Sequence, residues 1–148
     1  YGSDIPLISV DTLQCMVAGA KKITDLPDKQ TLYAPMIDAR RMEVYTALFD
    51  QDFNFVQEIT AKIIDETSFK TELSENTIYF FGDGANKCKD SITDDHAIFL
   101  DNLHPSADYM IQFSEKAFNE SSFEDVAYFE PYYLKDFIAT VPKKNIYG

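Results

Sequence analysis

Three β-rich runs follow one another with hardly a gap: TLYAPMID from Thr31, MEVYTALFD from Met42 and NFVQEITAKII from Asn54. Val, Ile, Tyr, Phe and Thr recur in them, the residue types that suit a pleated, half-buried surface. The connections, Ala39-Arg40-Arg41 and Gln51-Asp52-Phe53, are too short for a crossover. Parallel neighbours need about a dozen or more residues between them. The three runs are therefore expected to form an antiparallel meander.

The flanks add helices and further strands. Ile5 to Val10 reads as a short buried strand, and Asp11 is placed to cap a helix whose inward face is Leu13, Met16, Val17 and Ala20. Lys21 and Lys22 suit the negative end of its dipole, and residues 24–30 form a loop. Beyond the meander, Thr67 or Ser68 is expected to cap a short helix. NTIYFFGDGANK then gives a strand, a glycine turn and a helix start, and HAIFLD another strand. Pro105 opens a helix with a stripe of Ala107, Met110, Ile111, Ser114, Ala117 and Phe118. The aromatic tail, with Pro131 and Pro142, is expected to lie extended over the body. The order β-α, then β-β-β-α-β-α-β-α, predicts an α/β fold: a mixed sheet flanked by helices.

Charge excludes one class of function. Among 148 residues, 13 are Lys or Arg and 25 are Asp or Glu, a net charge of −12. Nucleic-acid binders present a basic face that releases counterions from phosphates, and here the lysines are scattered. Any contact with RNA is expected to come through a partner. No apolar run approaches the roughly 18 residues of a membrane span. No basic leader precedes the first strand, so the chain is expected to be cytoplasmic, with Cys15 and Cys88 reduced. It begins without Met and enters a strand at once, which suggests the middle of a longer protein.

The chemistry-bearing residues are sparse. His96 and His104 lack a Ser or Cys in an activating context, and no nucleophile elbow or metal-binding spacing is present. No catalytic, cofactor or metal residue is assigned. FFGDGANK resembles a phosphate-binding turn, but Asp83 brings a negative charge to it. Gly82 and Gly84 are better explained as allowing close packing of strand and helix. The arginines stand out, because the chain uses Arg twice, at Arg40 and Arg41, and Lys eleven times. A guanidinium fork suits a carboxylate, so one of them is expected to clamp an internal acid, with Glu43 close in sequence.

PLISVDTLQ, MIDARRMEVYTALFD, FFGDGANK, HPSADYM and FEDVAYFEPYYLKDF occur in the order and rough spacing of the second half of the TsaB (YeaZ) family. The chain resembles that family over essentially its whole length. The resemblance implies an RNase H-like lobe of the actin-like ATPase superfamily, with residues 1–23 linking from a first lobe and 24–148 forming the second. It implies a non-catalytic scaffold in the formation of threonylcarbamoyladenosine on tRNA. TsaD and TsaE would be the partners, ATP and metal would sit on those partners, and tRNA would be reached only through the complex. Structural or interaction residues would be Arg40, Arg41, Glu43, Tyr45, Gly82, Asp83, Gly84, Pro131, Tyr133 and Lys135. Met42 stands where many relatives have Gly, and Lys135 where Arg is usual. The competing readings are a degenerate M22-type peptidase or nucleotide hydrolase, and a generic acidic interaction domain. The apolar first strand is expected to pack on its own lobe, pair with a second copy or exchange with it.

Overall fold

The structure, a computed structural model, describes residues 5–24 and 30–134. The meander forms as its sequence predicts: β1 (Thr31–Asp38), β2 (Glu43–Phe49) and β3 (Phe55–Ile63) are antiparallel neighbours. β4 (Thr77–Phe81) adds parallel to β1, and β5 (Ala97–Leu100) parallel to β4. The sheet order is β3-β2-β1-β4-β5, a mixed sheet whose antiparallel meander continues into two parallel strands.

β1 lies at the centre, and six consecutive residues of it are buried. Alternation then sorts its side chains between two cores. Leu32, Ala34 and Met36 face one side with Val44, Leu48, Ile78, Phe80, Phe69 and Leu73. Tyr33 faces the other with Phe49, Phe81 and the inward residues of α1 (Thr12–Lys21). Pro35 has no N–H to give and is paired on its β4 side, opposite Phe81. Asp11 caps α1 as expected, its carboxylate accepting from the Gln14 N–H at 2.9 Å. Leu13, Met16 and Val17 fix α1 to the sheet.

Other expectations need correction. Ile5 to Val10 is not a sheet strand: Leu7 forms one isolated antiparallel bridge, to Glu124, and Ile5 is 71% exposed. It does pack on its own chain, through the Glu124 N–H donating to the Leu7 carbonyl at 2.9 Å and a Ser9–Glu124 side-chain bond. α2 (Lys70–Leu73) is a single turn entered through Phe69 at φ 63, without a side-chain cap. Ser68 and Thr67 instead bond to Asp65, closing a local loop that competes with helix. The glycine turn leads into a 3₁₀ turn, Asn86–Cys88, rather than an α-helix.

α3 (Ile111–Asn119) has no buried residue, and its expected stripe does not face the core: Ile111 and Phe118 are 57% and 60% exposed. The segment docks through aromatics instead. Phe113 meets Phe53 edge-on at 5.2 Å, and the Tyr109 ring lies so close to Gly19 that a Cβ there would be 2.5 Å from it. The aromatic tail is described as far as Leu134. From Phe123 onward it is largely exposed, with Tyr128 at 84%. Among the described residues, no helix is long and apolar enough to cross a membrane.

Candidate functional site

Six of the residues singled out from sequence converge where β1 and β4 end side by side. The chain leaves β4 through Gly82 at φ +102, a backbone region that only glycine adopts without strain. Gly84 follows, and its N–H donates to the Met36 carbonyl at 3.0 Å. A Cβ on Gly84 would lie 2.9 Å from the Val44 side chain and 3.0 Å from the Ile37 backbone. The two glycines thus let the turn press against β1, as a close-packing role requires. Asp83 between them points to β1, accepting from the Asp38 N–H at 3.0 Å. A carboxylate so placed makes the turn a poor anion cradle.

On the facing hairpin, Arg40 and Arg41 are exposed and both left-handed, at φ 73 and 51. Each non-glycine residue in that region costs about 1–2 kcal/mol, and the surroundings hold them there. Arg40 accepts through its carbonyl from the Glu43 N–H, and its own N–H donates to the Asp38 carboxylate at 2.9 Å. The expected arginine clamp is not formed: among the described residues neither guanidinium takes part in an ion pair. The Asp38 carboxylate beside them is engaged by another donor. Asp38 is bound by Lys87, whose ammonium also donates to the Glu43 carbonyl at 2.7 Å. Lys87, which the sequence did not single out, therefore joins Asp83 in tying hairpin to glycine turn.

Lys87 and the Arg40 N–H hold the exposed Asp38 carboxyl below its usual value of 3.8. A carboxyl depressed in the folded state stabilises above the ordinary value, and that contribution fades as pH falls through the lower folded value. Lys87→Met should therefore raise the Asp38 titration midpoint toward 3.8, and the stability it removes should be largest above 3.8 and vanish as pH falls through the folded value. A carboxyl-detected NMR titration checks this, and an unmoved midpoint would refute it.

The other residues named from sequence lie elsewhere. Tyr45, Pro131 and Tyr133 meet at a trough of about 550 Å³ on the α1 face. Ile37, Tyr45 and Ile59 line it from the sheet, Asp11 and Thr12 from the start of α1, and residues 129–134 from the tail. Lys135 lies outside the described residues. No sequence signal announces this trough, because its parts come from three distant stretches.

Burial, then the Asp11 charge, pushes the Cys15 thiol up to about 11, and burial also raises that of Cys88. Neither supplies a thiolate at neutral pH. Exposed His96 lies 3.3 Å from Asp94. Among the described residues, no group of three His, Cys, Asp or Glu side chains could hold a metal ion.

No protein-family model matches the chain, and no curated protein does so. Solved structures do. One is a Pseudomonas aeruginosa protein described as similar to peptidase YeaZ, with a TM-score of 0.69, 17% identity and 88% of this chain covered. Another is YeaZ from Pseudomonas aeruginosa, with a TM-score of 0.65, 17% identity and 87% covered. The chain spans 59% of the length of each of them. These superpositions show that the chain shares its fold with part of the YeaZ structures.

Proposed function

We propose that this chain is the second lobe of a TsaB-like scaffold subunit. It supports a TsaD-type enzyme and TsaE in forming threonylcarbamoyladenosine on tRNA, and reaches tRNA only through that complex. ATP and the catalytic metal belong to the partners. The observation that carries the reading is the five-stranded lobe itself, which superposes on YeaZ over most of this chain. The order of the PLISVDTLQ, MIDARRMEVY and FFGDGANK segments supports it. So does a net charge of −12, which suits contact with protein better than direct contact with RNA.

Depleting the protein in its own cells should lower threonylcarbamoyladenosine in bulk tRNA, read by mass spectrometry of digested nucleosides. The tagged full-length protein should bring down a TsaD-type partner. An unchanged nucleoside level overturns the proposal. Turnover of ATP or of a peptide by the purified chain would favour the hydrolase or peptidase reading. A pulldown lacking both TsaD and TsaE would favour a generic acidic interaction domain.

A further inference from the structure

The trough on the α1 face has a chemistry of its own. Its floor takes Ile37, Tyr45 and Ile59 from three neighbouring strands, with Ile37 directly opposite Tyr45 in the register. Three strands side by side span about 10 Å, and an extended chain advances about 3.3 Å per residue, so about three residues fit across the floor. One wall is the start of α1. The other is the aromatic strap, where Tyr132 and Tyr133 are 75% and 78% exposed. Among the described residues, the lining holds Asp11 and Glu130 and no lysine, arginine or histidine.

Each part selects a ligand group. The apolar floor favours a branched aliphatic side chain, which gains by leaving water. Aromatic faces beside carboxylates favour a Lys or Arg cation. We propose that this trough docks an extended segment of a partner protein in which a branched apolar residue is flanked by Lys or Arg. The apolar side chain points to the floor, and its neighbours reach the acidic and aromatic rims. Nothing in this depends on the scaffold role, and direct binding tests it separately.

The probe is a fluorescein-labelled peptide, Gly-Ser-Lys-Ile-Arg-Gly-Ser, titrated with the whole chain at low salt and read by anisotropy. In one control peptide Ser replaces Ile, and in another Glu replaces both basic residues. Asp11→Asn combined with Glu130→Gln removes the rim charge while keeping the helix cap, since Asn and Asp cap comparably. An unchanged melting temperature shows that this variant is folded. The basic apolar peptide should bind saturably and each control more weakly. The charge variant and Tyr133→Ser should each weaken binding about fivefold. No saturation up to about 1 mM, equal binding of the three peptides, or variants that bind like the parent would each overturn the proposal. So would binding that arises only when the chain is cut after Leu134, because the occupant would then be the chain's own sequence beyond it.

Discussion

Gly82→Ala is expected to destabilise the fold by about 3 kcal/mol, through two separate causes. The backbone at φ +102 lies where an L side chain is strained, at roughly 1–3 kcal/mol. The new methyl would also run into the Met36 carbonyl oxygen and lie 2.7 Å from the Met16 Cε. Met16 is a flexible side chain and can move, whereas Met36 is the backbone of the central strand and cannot. The clash therefore adds to the strain instead of relaxing away. For a domain of this size the loss corresponds to a fall in Tm of about 6–12 °C. Gly84→Ala is the matched control: it meets Val44 and Ile37 at 2.9 and 3.0 Å but carries no strained φ. It should cost less, about 1–2 kcal/mol. Urea denaturation of both variants checks the order. A Gly82→Ala variant within about 0.5 kcal/mol of the parent would mean that the turn does not press on β1.

The meander was legible because its signal is local: strand-forming residues, period-2 alternation and connections too short to cross over. The glycine turn was legible because Gly82 is required at a backbone angle that few other residues tolerate. α3 was not, and its failure has a physical source. A helical stripe tells which residues share a face, but not whether the chain supplies a surface to cover it. The docking falls to Tyr109 and Phe113, which find Gly19 and Phe53 some ninety and sixty positions away in sequence. Ile5 to Val10 misled in the same way, being apolar but lacking a neighbouring strand within the sheet. Lys87 escaped notice because a lysine has no spacing signature, and its partner Asp38 is 49 residues distant. The arginine pair drew attention by its rarity. The structure uses the pair's backbone, at two left-handed positions, rather than pairing either guanidinium with a described carboxylate.

Phe80→Ala should cost about 3–5 kcal/mol, the range for removing a fully buried aromatic ring. Phe80 is completely inaccessible in β4, stacked on Phe99 at 5.2 Å and met edge-on by Phe69 at 5.3 Å. It joins the entry turn of α2 to β4 and β5, so its removal leaves a cavity that no single side chain can fill. Against a typical total stability of 5–15 kcal/mol, that is roughly 30–50% of the margin for a protein near 10 kcal/mol. Phe118→Ala provides the contrast. Phe118 touches Phe123 at 5.9 Å but is 60% exposed, so its loss should stay within about 0.5 kcal/mol. Urea unfolding of the pair measures the difference directly. Were the order reversed, the stripe expected from sequence on α3 would be a buried face after all, and the core assigned to the α2 side of the sheet would be wrong.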